Sequence, residues 1–426
     1  MTVVQTASAI DPAGLTLVPA TPEQAVQVRT NTLDWFCKWD KLTPEEWSYH
    51  DETLVDDPDT GLKHKRIVVW LLVSRSTLLP TSPVTSSASL SEIYSHFETY
   101  RMPGLLFSPS SSSASAQNVA IYGIGTVWTP VEHRRKGYAR LALQLGHYVL
   151  GKTRSLPSFP TIWGQPPPIT LGDATASVLY SDVGPKYYQS CTIGEHLDGW
   201  KEQGSTITEW YLHDGSKEGE NGGRGLDAWE WVTSLRTVKE LEKLVIEDTR
   251  RRLASETDKD RTKIALVPTG DVLSAHHNRL LLRDPFPSDA APVRPTAFAA
   301  YNRDTSSLVV FCPQNGKAIY HPHEYKGKTL EISHVVGQVP WQVVGQAAKR
   351  EGCRRIEAWG PEAASKGWPK GIVRERGDLY GMMAYYDKLQ SGEEQPLWVG
   401  NGIWTPCRTW NFGKALAARD YAKQWL

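Results

Sequence analysis

The chain has 426 residues, is 40% hydrophobic and 22% charged, and balances 47 basic against 47 acidic side chains for a formal net charge of zero. That is ordinary globular composition with room for two or three domains. The balance argues against general polyanion binding but leaves a local basic loop open. The cysteines (Cys37, Cys191, Cys312, Cys353 and Cys407) are odd in number and hold no C-x-x-C pair, so neither a disulfide framework nor a thiolate zinc cluster is expected. No apolar run reaches membrane-spanning length, and residues 1–20 lack a basic segment followed by an apolar core. A reducing, cytoplasmic setting is the expectation.

In chain order, Leu15-Thr16-Leu17-Val18 predicts a short strand. Thr21-Pro22-Glu23-Gln24 reads as a helix start, with an N-cap threonine, proline in the first turn and an acidic residue behind it, and Thr43-Pro44-Glu45-Glu46 repeats the signal. Ile67 to Val73 is apolar on both faces and predicts a central strand. Serine-rich stretches at 76–91 and 108–116 read as surface loops, with an ordered strand or helix edge, Ile93 to Arg101, between them. Val119 to Thr129 predicts a second strong strand, ended by Pro130. Arg134 to Leu150 follows as a helix with Ala139, Leu143, Gly146 and Leu150 on one face, then a strand at Ser177 to Tyr180 and a helix from Pro185 to Cys191.

Residues 213–225 are glycine-rich and read as a linker, dividing the chain into 1–212 and 226–426. Beyond it, Leu235, Val238, Leu241 and Val245 mark an amphipathic helix. Ala297 to Tyr301 and Leu308 to Cys312 flank a hairpin turn at Asp304 to Ser307. Strand, helix and strand follow at Thr329 to Val336, Trp341 to Gly352 and Arg354 to Trp359, and a last helix lies near Ala415 to Trp425.

The sharpest chemical signal is Val127-Trp128-Thr129-Pro130-Val131-Glu132-His133-Arg134-Arg135-Lys136-Gly137-Tyr138-Ala139. It is a strand, a proline, a basic Arg-x-x-Gly-x-Ala turn and a helix start. The first N–H groups of a helix have no partner inside it, and its N-terminus carries about half a positive charge. Such a turn suits a pyrophosphate. Basic residues oppose the helix dipole at that end, which favours a bound anion over a merely solvated turn. No Gly-Lys-Ser/Thr loop follows a strand, and no Gly-x-Gly-x-x-Gly stands at a strand-helix turn.

With these residues the sequence resembles the GNAT superfamily of acetyl-CoA-dependent N-acyltransferases over roughly residues 15–210. A second block agrees: Leu179-Tyr180-Ser181-Asp182-Val183-Gly184-Pro185-Lys186-Tyr187-Tyr188, with a later Gly199-Trp200. With Glu98-Thr99-Tyr100-Arg101 and an extra C-terminal unit, it looks similar to the fungal lysine N6-acetyltransferases of lysine catabolism. The spacing from Cys191 to Gly199 is longer than the family's.

The resemblance implies an α/β (α+β) fold, a mixed central sheet flanked by helices, with residues 226–426 forming a second, degenerate GNAT-like α/β domain that caps the substrate groove. It implies that Val127, Trp128 and Thr129 pair with the pantetheine of acetyl-CoA through their backbone. Arg134, Arg135, Lys136, Gly137, Tyr138 and Ala139 would hold its pyrophosphate, and Tyr188 would protonate the leaving thiolate. The alternative for Tyr187 and Tyr188 is plain packing. The implied reaction moves an acetyl group to the N6 amine of free L-lysine by direct attack. The alternatives are another small amine, a protein lysine, or a non-catalytic CoA-binding scaffold.

A lysine amine with a reference pKa near 10.4 lies about 3.4 units above neutrality, or about 4.6 kcal/mol. Asp173 and Glu98 are the candidate carboxylates to help free it. Cys191 reads as core. Glu331, Glu357, Trp359, Trp398 and Trp404 are candidates to line the groove. His276-His277 and His321-Pro322-His323-Glu324 lack the i, i+4 spacing of a zinc pair, so no metal site is expected.

Overall fold

The computed structural model describes residues 11–40, 67–109, 116–181, 183–204, 206–212, 226–255, 260–267, 296–314, 328–359, 367–375, 380–387, 389 and 395–399. The helix starts at Thr43 and near Ala415, the linker 213–225, the histidine pairs and Trp404 lie outside them.

In chain order the elements are β1 (Leu15–Pro19), α1 (Pro22–Asp40), β2 (Ile67–Ser74), β3 (Leu78–Leu79), β4 (Ser82–Ser86), β5 (Ile93–Phe107), β6 (Gln117–Trp128), α2 (Tyr138–Leu150), β7 (Ala174–Ser181), α3 (Pro185–Gln189), β8 (Lys201–Glu202), β9 (Thr206–Tyr211), β10 (Glu230–Val232) and α4 (Leu235–Ser255). They continue with β11 (Lys263–Leu266), β12 (Ala299–Asn302), β13 (Ser307–Gln314), β14 (Lys328–Val336), α5 (Trp341–Arg350), β15 (Cys353–Trp359), β16 (Ile372–Glu375), β17 (Tyr380–Tyr385) and β18 (Leu397–Trp398). The class is mixed α/β, built on two sheets. The first runs β1-β2-β5-β6-β7-β17-β8, with β11 and β18 added beside β5; the second runs β10-β12-β13-β14-β15-β9-β16.

Most expected elements form where the pattern placed them. Ile93 to Arg101 is strand, and it continues to Phe107. The serine-rich stretch at 76–91, expected as a loop, is instead ordered. It folds into the β3–β4 hairpin, closed by bonds such as Ser87 N to Thr77 O at 2.9 Å, with half-buried Leu78 packed against Val18 and its neighbours. Short hydroxyl side chains satisfying local backbone, such as Thr77 Oγ1 to Ser74 O at 2.8 Å, replace apolar burial there.

The division at 213–225 does not follow the sheets. β9, before the linker, is inserted into the second sheet between β15 and β16. β11, β17 and β18, after it, belong to the first. β17 covers the outer edge of β7 in an antiparallel ladder from Tyr380↔Ser181 to Tyr385↔Ala176. A buried strand cannot leave that edge unpaired, and a distant segment supplies the partner. Helix α2 lays Leu141, Ala142 and Leu145 on one side of the first sheet, against Phe97 and Trp70. The other side of that sheet meets the second sheet, where Tyr180 contacts Trp359 of β15 with ring centroids 5.6 Å apart, beside Trp398 of the first sheet's own β18 at 5.9 Å. Tryptophan suits such a seam because its ring is large and mostly apolar.

Candidate active site

β5 and β6 form a long antiparallel pair, whereas β6 and β7 are parallel and paired only from Ala120↔Ala174 to Gly123↔Val178. β6 runs five residues further, to Trp128, and β7 three further, where its ladder is with β17. The first sheet therefore opens between Ile124–Trp128 and Leu179–Ser181. An open ladder edge offers a row of main-chain donors and acceptors to an extended ligand.

At the opening β6 carries a bulge. Glu98 stands opposite Gly125 and His96 opposite Trp128, so β6 has one residue more than β5, and Thr126 takes φ 49°. A left-handed threonine costs about 1–3 kcal/mol and has to be held by its surroundings. Its Oγ1 donates to Glu98 Oε2 at 3.3 Å. The chain leaving β6 is pinned as well. Thr129 Oγ1 donates to Ser95 Oγ at 3.1 Å, and Ser95 Oγ donates to Trp128 O at 2.8 Å.

The basic turn follows. Helix α2 begins at Tyr138, not at Arg134 as the periodicity predicts. Arg134 is extended, Arg135 has φ 60°, and Gly137 caps the helix with φ 86°. Left-handed residues alternating with others turn successive N–H groups to one side. Among the described residues, the first main-chain bond closing the helix is Leu141 N to Gly137 O at 3.0 Å. The N–H groups of Arg135 to Arg140 have no partner there. Arg135, Lys136 and Gly137 are exposed.

The Arg134 guanidinium does not join this group, since it folds back over the Trp128 ring at 4.7 Å and its Nε donates to Thr129 O at 3.1 Å. Its part is to hold the loop. Tyr138 serves the same end, packed on Tyr94 at 4.8 Å beside His133. Ala139 is half-buried, and Val127 packs onto the α2 side of the sheet.

Tyr188 of α3 is buried, with its ring against Tyr187 at 5.3 Å and Trp200 at 6.2 Å. Its carbonyl accepts from Cys191 N and Trp200 N, each at 3.2 Å, so the longer spacing to Gly199-Trp200 closes back onto α3. The Cys191 thiol is fully buried and burial pushes it up to about 12, which suits a core residue.

The two candidate carboxylates separate. Asp173 stands just before β7, at the closed end of the β6–β7 pair, in a surface ion pair with Arg101 at 2.9 Å and accepting from the Tyr122 hydroxyl at 2.8 Å. Five residues of strand, Ala174 to Val178, about 16 Å, divide it from the opening. Glu98 lies at the bulge, wholly buried. It accepts from Arg29 Nε of α1 at 2.9 Å and from the Tyr100 hydroxyl at 2.7 Å. Beside it on the same face is His96, which no sequence signal singled out. Burial, aided by the Arg29 charge, pushes its ring down to about 3 and keeps it neutral.

Of the residues expected to line a groove, Glu331 and Glu357 are neighbours in register on β14 and β15, with Glu209 of β9 next in the row. Arg355 bridges Glu209 and Glu357, and Arg374 lies 3.3 Å from Glu209, so this row is in part a buried ion network. Trp359 and Trp398 sit at the seam on Tyr180. Among the described residues no group of histidine, cysteine and carboxylate side chains is arranged to hold a metal.

No family model matches the sequence, and no curated protein matches it. Solved structures do. A GCN5-related N-acetyltransferase from Kribbella flavida is 14% identical with a TM-score of 0.45, over 88% of this chain and 71% of that one. One from Anabaena variabilis is 11% identical with a TM-score of 0.48, over 88% and 73%. Eis1 from Mycobacterium abscessus is 10% identical with a TM-score of 0.38, over 86% and 72%.

Proposed function

We propose that the protein is an acetyl-CoA-dependent N-acyltransferase. The observation that carries this reading is the joining of two features in one strand. β6 parts from β7 beyond Gly123, and the same strand runs through its bulge into a turn whose N–H groups, Arg135 to Arg140, have no main-chain partner among the described residues. An open edge suits an amide-bearing pantetheine, and consecutive N–H groups at a helix start suit a pyrophosphate. Val127, Trp128 and Thr129 would receive the first. Arg135, Lys136, Gly137, Tyr138 and Ala139 would receive the second, with Arg134 fixing the loop.

Acetyl-CoA, when bound, supplies an activated thioester. The chain's part is to orient it, to present an amine in its neutral form and to protonate the departing sulfur. Tyr188 is assigned to that last task. The acceptor assigned is a small amine, with the N6 amine of free L-lysine first, on the strength of the sequence resemblance. The second sheet, which meets the first at Tyr180 and Trp359, would close the acceptor side. The test is thiol release from acetyl-CoA with a panel of free amino acids, diamines and a lysine-rich peptide. Release with lysine supports the assignment. Release with the peptide alone overturns the substrate, and silence with every amine favours a CoA-binding scaffold.

A further inference from the structure

β5 brings three polar side chains to one face at the bulge: His96, Glu98 and Tyr100. Glu98 is fully engaged. One oxygen takes the Arg29 Nε hydrogen bond, and the other takes the hydroxyls of Tyr100 and Thr126. A carboxylate with that many donors is stabilised as an anion and gains little by accepting another proton. His96 is the opposite case. It is 2% exposed, and its Nε2 is buried without a hydrogen-bond partner among the described residues. Buried ring nitrogens are ordinarily paired, and one left over costs about 1–3 kcal/mol. The ring stands on β5 opposite Trp128, the last residue of β6, one strand in from the opening between β6 and β7. Its neighbours on β5, Ser95 and Phe97, serve the loop exit and the α2 core instead.

We infer that His96 Nε2 receives an N–H of the attacking amine and so aims its lone pair into the opening between β6 and β7. This rests on the acyl-transfer reading. It adds that the amine enters from the α1 side of the sheet, the face of Glu98 and Arg29, and that Glu98 serves as a fixed counter-charge rather than the amine's direct partner. Functional sites are among the places where a fold tolerates local unpaired polarity of this kind.

The test exploits the missing partner. A ring nitrogen with no bond in the free protein has none to lose, so His96→Leu should leave Tm unchanged or raise it. It should keep the acetyl-CoA Kd within about twofold and lower kcat/KM for the amine about 10- to 100-fold. His96→Gln, which keeps an acceptor oxygen, should recover part of that loss. Calorimetric acetyl-CoA titration, thermal melts and thiol-release kinetics on the full chain read all three. A structural role predicts a lower Tm with proportionate loss of both substrates, and that result overturns the inference. So does wild-type kcat/KM in His96→Leu. If the wild-type protein binds acetyl-CoA but acylates no amine in the panel, the reading of the reaction fails first and His96 falls with it. An active wild type with an equally active His96→Leu refutes His96 alone.

Discussion

The Tyr386 hydroxyl lies 3.0 Å from His147 Nδ1, joining residues 239 positions apart. The proton order is determined by the partners. His147 Nε2 is 3.1 Å from the Cys191 carbonyl, which can only accept, so the proton is on Nε2 and Nδ1 accepts from Tyr386. Tyr386 in turn accepts from Ser177 at 2.7 Å, and Ser177 accepts from Trp200 Nε1 at 3.0 Å. The chain binds the residue just after β17 to α2 and β7, and every member is satisfied.

Tyr386→Phe should therefore destabilise the protein without touching acetyl-CoA. It strips His147 Nδ1 of its donor and leaves Ser177 with one partner fewer, both fully buried. A loss of about 1–3 kcal/mol is expected. Urea unfolding checks it, and an unchanged midpoint would show that the network contributes nothing to stability.

Acid should destabilise the fold through buried histidines, His147, His96 and His334, which burial pushes below their ordinary value. Burial pushes His147 and His96 down to about 3 from an ordinary 6.5. Between those values the unfolded chain binds protons that the folded chain refuses. Stability is then complete above about pH 6.5 and falls as pH drops toward 3. Each ring should cost about 1 kcal/mol at pH 5.5. Urea midpoints at pH 7.5 and 5.5 should differ accordingly, and His96→Leu should flatten part of the dependence.

Gly137 holds φ 86° at the start of α2. Gly137→Glu would place a Cβ in a left-handed backbone, at about 1–2 kcal/mol, and a negative charge in the proposed anion cradle. The acetyl-CoA Kd should rise at least tenfold, read by calorimetry, with the amine KM little changed. An unaltered Kd would remove the turn from the site.

Arg29→Ala leaves the Glu98 carboxylate buried without its ion-pair partner. Removing one side of such a pair costs about 3–5 kcal/mol. A steep fall in Tm is expected, with partial recovery in Arg29→Lys. A variant as stable as the wild type would mean that Glu98 is protonated or hydrated in the folded protein.

Gly199→Ala tests the closure onto α3. A Cβ there would meet the Cys191 carbonyl oxygen and come within 2.7 Å of the Tyr188 oxygen, both rigid backbone. The turn that seats Tyr188 and Trp200 should shift. Loss of kcat together with Tm is expected, and a silent variant would contradict the packing of α3.

The candidate site was legible where it is local. Pro130, Gly137 and the three basic residues announce a strand-to-helix turn by their own backbone preferences and charges, whatever the rest of the chain does. Its non-local half was not. Arg134 reads as a phosphate ligand, yet it turns back because Trp128 offers a ring and Thr129 a carbonyl within reach. Asp173 and Glu98 read alike as carboxylates, and only strand register puts one at the closed end and the other at the bulge.

Hydrophobic period and turn chemistry in the sequence determined most elements, from the apolar run of β2 to the β12–β13 hairpin, because each reports neighbours a few residues away. Tertiary structure alone decided that β17 closes β7, that β9 crosses to the second sheet, and that His96 Nε2 is left without a hydrogen-bond partner among the described residues. Ladder edges and buried polar atoms are satisfied by whichever segment arrives in space, and no local pattern encodes that arrival.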